Sequence, residues 1–264
     1  MPLEAGKPVD AAAFDAEVRS AVKATVCKQA EAGVDVLNDG EVSKPSYATY
    51  VKDRLTGFGG EGSPQSVVSQ VGILNDFPDF AEQMAATMSQ AADIRWTSCD
   101  GPVSFEGRDA VQADIANLKA ALEGLSPEDT FMSSASPGVI AVFSPNHYYP
   151  TDGKYLEAIA NAMREEYEAI HKAGFVLQLD CPDFAMIAPG AGSLENFRAK
   201  LELAVEALNH RGEHSCRRDA DPRVLGQRRD AEDERRRAQR HHRSHPQGKA
   251  GRGHDHGVKR PPRA

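Results

Sequence analysis

An α/β fold of strand-helix units around a parallel sheet is what this sequence predicts, and three observations predict it. Helical stretches alternate with short apolar runs, an Ala-Gly pair precedes two of those runs, and an Asp stands six residues after each of the two glycines, Gly33 and Gly174. The chain's 264 residues suit one domain of barrel or doubly wound size.

The first element is a helix over residues 10–32. Asp10 is its N-cap, Phe14, Val18, Val22 and Val26 recur at a spacing of four, and Gly33 takes the position past the end where φ > 0 is tolerated. A buried strand, Val34-Asp35-Val36-Leu37, follows and ends in Asn38-Asp39-Gly40-Glu41. Gly57-Phe58-Gly59-Gly60-Glu61-Gly62 follows no strand and lacks the Gly-Lys-Ser/Thr ending of a phosphate loop, so it reads as a flexible connector. Ile94 to Cys99 is a further strand, and a helix over 109–123 ends at Gly124. Val139 to Phe143 is a short apolar run before a Pro-rich loop, Ser144 to Pro150. The first grammar then returns. A helix over 153–173 buries Leu156, Ile159, Met163, Tyr167 and Ile170, and Gly174, the strand Phe175 to Leu179 and Asp180 follow it. From Ser193 a last helix turns Leu194, Phe197, Leu201, Val205 and Leu208 inward.

Near His210 the composition changes. Residues 211–264 carry 14 Arg and 2 Lys against 8 acids, a charge of +8, so the formal −8 of the whole chain leaves −16 on residues 1–210. The last 54 positions hold nine apolar residues and no aromatic, too few to offset chain entropy, and this tail is expected to be disordered. Acids interrupt its basic run and no ring is present for base stacking, so nucleic acid is not its expected partner, although a polyanion-binding tail is the reading from another functional class. No apolar run is long enough to span a membrane and no signal peptide opens the chain, which points to the cytoplasm. Cys27, Cys99, Cys181 and Cys216 are dispersed and read as reduced thiols.

Glu41 and Asp180 are the acids singled out, because each closes a buried strand where parallel barrels gather their sites. Two carboxylates at one mouth suit an amine-bearing substrate. Asn146, His147 and Tyr148 add donors, an acceptor and a flat apolar face in one loop. Cys181 reads as a buried thiol, since no Cys-His-Asn/Asp pattern supports a nucleophile.

Asp35 to Glu41, Tyr50 to Phe58, Asp100-Gly101-Pro102 and Leu177 to Pro182 together resemble cobalamin-independent methionine synthase in its short single-barrel branch, which includes epoxyalkane:coenzyme M transferase. The similarity runs from about Lys7 to His210. It implies a (β/α)8 TIM barrel, here a partial barrel over residues 1–210 followed by the disordered tail, and a zinc-dependent methyl transfer from a methylated folate to homocysteine. Zinc would supply the thiolate. By the same resemblance Glu41 and Asp180 hold the amino group of a homocysteine-like thiol. The alternative within the family is an alkyl-thiol transferase of the coenzyme M type, and the wider relative is uroporphyrinogen decarboxylase, for which no Arg-rich carboxylate site is visible.

Measured against the family, the chain starts after the first strand, and the zinc ligands, a His-x-Cys followed by a Glu and a Cys, fall beyond His210 and are not matched. His214-Ser215-Cys216 has the spelling without a surrounding strand. The tail has the Arg, His, Pro and Gly bias of a GC-rich gene read out of frame: Pro222 to Gln227 can be encoded as CCA CGC GTG CTG GGG CAA, whose adjacent frame reads His-Ala-Cys-Trp-Gly. The expectation is a chain truncated at its start, frameshifted after His210, unable to close its barrel and inactive in thiol methylation.

Overall fold

The computed structural model describes residues 10–63, 77–90, 96–190 and 193–209, all within the compact unit Met1–Leu225. The expected disorder of residues 211–264 lies outside them, as do residues 94–95 of an expected strand.

The first helix forms as its spacing dictates. In α1 (Ala11–Glu31) the Asp10 carboxylate accepts the Ala13 N–H at 3.1 Å, and Val18, Val22 and Val26 are buried. Gly33 then adopts φ 78° and β1 (Val36–Asn38) follows. The strand starts later than its hydropathy suggests, for Val34 lies in the turn and is exposed.

A 3-10 turn (Thr49–Asp53) and β2 (Gly60–Glu61) come next, then α2 (Pro78–Gln90) and β3 (Thr97–Ser98). Here the structure corrects two expectations. Thr97 and Ser98 do not join the parallel sheet; they pair antiparallel with Glu61 and Gly60 in a separate ribbon. The glycine run is therefore ordered, and its lack of side chains is what permits the approach. A Cβ on Gly57, at φ +84°, would stand 2.6 Å from the Gly101 carbonyl and 2.8 Å from that of Pro102.

After α3 (Arg108–Ala121) comes β4 (Asp129–Ala135), the central strand of a three-stranded parallel sheet ordered β1-β4-β5. The apolar run Val139 to Phe143 belongs to a short helix, α4 (Pro137–Phe143), started by Ser136, whose hydroxyl accepts the Val139 N–H at 3.1 Å, and by Pro137 at the first helical position. The long amphipathic α5 (Asp152–Lys172) leads through Gly174, φ 92°, into β5 (Val176–Asp180), and α6 (Asp183–Gly190) and α7 (Leu194–Asn209) complete the described chain.

Helix α7 corrects a third expectation. Its buried residues are Ala204 and Ala207; of those expected inward, Phe197, Leu201 and Leu208 are half-buried, while Leu194 and Val205 are exposed. Ala207 packs with Leu156 and Ala160 of α5, where a larger side chain would hold the two helices apart.

Strand register assigns the two faces of the sheet. Phe131 is level with Val176, Ser133 with Gln178 and Ala135 with Asp180. Leu37, Met132 and Leu177 join the core under the helices, whereas Ser133, Gln178 and Asp180 share the opposite face.

Candidate functional site

At the C-terminal end of β1 the chain turns through two consecutive left-handed residues. Gly40 has φ 68° and Glu41 has φ 55°, the one positive φ outside glycine among the described residues. Side chains hold this turn. Asn38 Oδ1 accepts the Gly40 N–H at 2.6 Å, Asp39 Oδ1 accepts the Glu41 N–H at 3.0 Å, and Gln29 makes a two-way clamp on the Asn38 backbone at 3.0 Å each way. Thr25 packs beneath Gly40, with Cγ2 2.7 Å from where a Cβ would stand. Glu41 is thus aimed by its backbone and stays half-buried. Asp39 is buried, and burial pushes its carboxyl above the usual range despite the Glu41 N–H and the nearby Lys44 charge.

Two strands away, β5 ends at Asp180. Gln178 Nε2 donates to Asp180 Oδ1 at 3.0 Å and reaches Ser133 Oγ at 3.4 Å, so the carboxylate is held at one oxygen. Tyr47, in the segment after β1, is close enough for the Asp180 charge to add to burial in raising its phenol. The Asp180 carbonyl accepts the Ser136 N–H at 3.1 Å, tying β5 to the start of α4. Below it, Ser136 Oγ donates to Asp183 Oδ1 at 2.8 Å, while Asp183 Oδ2 has no hydrogen-bond partner among the described residues and lies against Gly138. Burial raises the Asp183 carboxyl and likewise the Cys181 thiol.

Between the two ends stands Lys44, whose Nζ donates to the Ser133 carbonyl and lies 4.7 Å from the centroid of the Tyr50 ring. Behind it is a buried polar network that the sequence reading did not find. Arg54 divides its two amino groups between Glu166 (3.0 Å) and Asp114 (2.5 Å). Glu166 also accepts from the hydroxyls of Tyr50 (2.6 Å) and Ser134 (2.7 Å), and the Tyr50 oxygen accepts the Ala135 N–H at 3.2 Å. Burial alone would raise the Glu166 carboxyl; the Arg54 and Lys44 charges and the two hydroxyls outweigh it and hold the carboxyl low. A signal for these residues was present. Glu166 falls on the inward stripe of α5 between Met163 and Ile170, and Asp114 on that of α3 between Val111 and Leu118, so each is an acid at an apolar position.

The remaining candidates lie elsewhere. Asn146 is half-buried and holds its own loop, accepting the Tyr148 N–H (3.2 Å) and the Tyr149 N–H (2.8 Å) at Oδ1 and donating to the Tyr149 carbonyl at 3.0 Å. His147 is exposed, with its backbone paired to the Cys99 carbonyl, and Tyr148 is exposed beside the Tyr149 ring. Among the described residues no hydrogen bond, ion pair or ring contact joins these three to Glu41 or Asp180. His214 and Cys216 lie outside the described residues, and within those residues no three His, Cys, Asp or Glu gather as a metal site. No helix there is long and apolar enough to cross a membrane.

No protein-family model matches the chain, and no curated protein matches it. Among solved structures it is similar to a B12-independent methionine synthase from Shewanella sp. W3-18-1 in complex with selenomethionine, at TM-score 0.53 and 18% identity over 75% of this chain and 50% of that one. It is also similar to a putative vitamin-B12 independent methionine synthase from Listeria monocytogenes, at TM-score 0.53 and 19% identity over 78% of this chain and 54% of that one. The chain thus spans about half the length of these structures and shares their fold over that span.

Proposed function

We propose that this chain is a partial β/α barrel related to the cobalamin-independent methionine synthases, and that it binds the ammonium group of a small sulfur amino acid between Glu41 and Asp180. The observation that carries this reading is the state of Asp180. It ends a parallel strand, one oxygen is held by Gln178, and the other accepts no hydrogen bond among the described residues. A held carboxylate with a spare oxygen is a ready acceptor for an ammonium N–H. The Shewanella protein, similar in fold, holds selenomethionine in its structure.

In the relatives a zinc ion would deprotonate the acceptor thiol. The described residues do not fit that ion, since they gather no three ligands, so the proposal is confined to binding. Homocysteine and a methylated folate are the proposed partners in the cytoplasm, and the chain as given is proposed to lack methyl transfer. The coenzyme M alternative is disfavoured because that thiol carries no ammonium group for Glu41 and Asp180 to hold.

Calorimetric titration with methionine and homocysteine tests the binding reading. Glu41→Gln and Asp180→Asn are each expected to weaken methionine binding about tenfold, the loss of one charge-assisted hydrogen bond. Unchanged affinity in both variants would overturn it. In a parallel assay of methyl transfer from a methylated folate to homocysteine, the chain is expected to be inactive. Turnover by the chain, abolished by His214→Ala or Cys216→Ala, would overturn the binding-only assignment.

A further inference from the structure

We infer that Lys44 is a specificity-determining residue of the same site, its ammonium receiving the carboxylate of an α-amino acid whose own ammonium lies at Asp180. This rests on the amino-acid reading above. The first observation is an incompletely partnered charge. Lys44 is half-buried, and its ammonium, with three donors, has one hydrogen-bond acceptor among the described residues, the Ser133 carbonyl, together with the face of the Tyr50 ring. Among the described residues no carboxylate lies at ion-pair distance. Asp39 and Glu166 act on it only through space, and Glu166 is already engaged by Arg54, Tyr50 and Ser134.

The second observation is placement. Lys44 and Asp180 converge on one residue of β4. The Ser133 carbonyl takes the Lys44 ammonium, Ser133 Oγ meets Gln178 Nε2 at 3.4 Å, and Gln178 holds Asp180 at 3.0 Å. A cation bonded to the Ser133 carbonyl and a carboxylate linked to the Ser133 hydroxyl through Gln178 offer opposite charges to the two ends of a zwitterion. Glu41 and Asp180 repel the ligand's carboxylate and Lys44 repels its ammonium, so only one orientation is favourable.

The third observation links Lys44 to the turn that aims Glu41. The Lys44 backbone N–H donates to the Glu41 carbonyl at 2.9 Å, so the two side chains take their direction from one rigid segment. A Lys44 that merely capped the β4 carbonyl beyond the end of β1 would give the site no preference among ligands.

The test compares methionine with 3-(methylthio)propylamine, which lacks only the carboxylate, by calorimetric titration of the full chain. The wild type is expected to favour methionine by about tenfold or more. Lys44→Met, and Lys44→Gln, which keeps an N–H for the Ser133 carbonyl and preserves folding, are expected to reduce that preference to about twofold or less. Equal binding of the two ligands by the wild type overturns the role of Lys44 and leaves the ammonium reading standing. A preference retained in Lys44→Gln overturns it as well. Absence of binding by either ligand overturns the ammonium reading and this inference with it.

Discussion

Glu166 Oε2 accepts Arg54 Nη1 at 3.0 Å, a buried ion pair between groups 112 residues apart in the chain. It joins the inward face of α5 to the segment that follows β1, and so the helix layer to the loop that carries Lys44. Removing one partner of such a pair leaves the other charged and buried, which costs far more than the pair itself contributes.

Glu166→Gln is therefore expected to lower stability by about 3 kcal/mol, and Arg54→Met by at least as much, since it strands Asp114 as well. Urea unfolding followed by far-ultraviolet circular dichroism measures this. A midpoint unchanged in both variants would show that the network carries no net stability.

The pH dependence has opposing parts with definite signs. The Glu166 carboxyl is held below its ordinary 4.5, so its contribution is complete above that value and is lost as pH falls through the folded-state value. The Asp39 carboxyl is raised above 3.8, so its contribution is present below that value and is lost as pH rises through the folded-state value. The stability gap between wild type and Glu166→Gln is expected to narrow on acidification. Asp39→Asn keeps an acceptor for the Glu41 N–H, and relative to it the wild type is expected to gain. Urea midpoints across an acid series check both, and parallel curves would contradict them.

Two glycines with similar backbone angles separate strain from contact. Gly57→Ala is expected to cost about 3 kcal/mol, because at φ +84° its Cβ meets two carbonyl oxygens of the chain after β3. Gly124→Ala, at φ +81° with nothing within 4 Å, is expected to cost about 1 kcal/mol from the left-handed backbone alone. Thermal melts of the two variants give the comparison, and equal losses would mean that the β2-β3 ribbon yields more readily than its spacing suggests.

Gly40→Ala acts directly on the aim of Glu41. The new methyl meets Thr25 Cγ2 at 2.7 Å, so the turn must shift and methionine affinity is expected to fall about tenfold. Adding Thr25→Ser removes that methyl and is expected to restore most of the affinity while leaving the backbone cost of about 1 kcal/mol. Affinity unaffected by Gly40→Ala would separate Glu41 from the ligand.

Periodicity made α1 and α5 legible, because Val18, Val22 and Val26 in one and Ile159, Met163 and Ile170 in the other follow the helical repeat and are buried as it requires. The glycine after each helix placed β1 and β5 and the acids beyond them. Strand β4 was illegible for a physical reason. Asp129 to Ala135 spends Ser133 and Ser134 on Gln178, Glu166 and Tyr50, so the most central strand of the sheet is among the more polar. The pairing of Ser98 with Gly60 was hidden because glycine contributes room, which no hydropathy pattern records. Glu41 and Asp180 stood out from position alone as acids at strand ends, whereas the contact of Lys44 with the Ser133 carbonyl, 89 residues later, leaves no mark in the sequence.

The central place of β4 also orders events in time. β1 has no strand partner among the described residues until Asp129 to Phe131 has been made, and β5 pairs on the other side of that same strand. At ordinary rates of synthesis the emerging β1 waits on the order of 10 s for its neighbour. Through that interval α1 can cover only one face of it, leaving both of its edges open to any chaperone or extended chain nearby. A ribosome-bound chain from which Asp129 to Ala135 has not yet emerged would hold β1 unpaired, and one from which that segment has emerged would have the ladder that protects it.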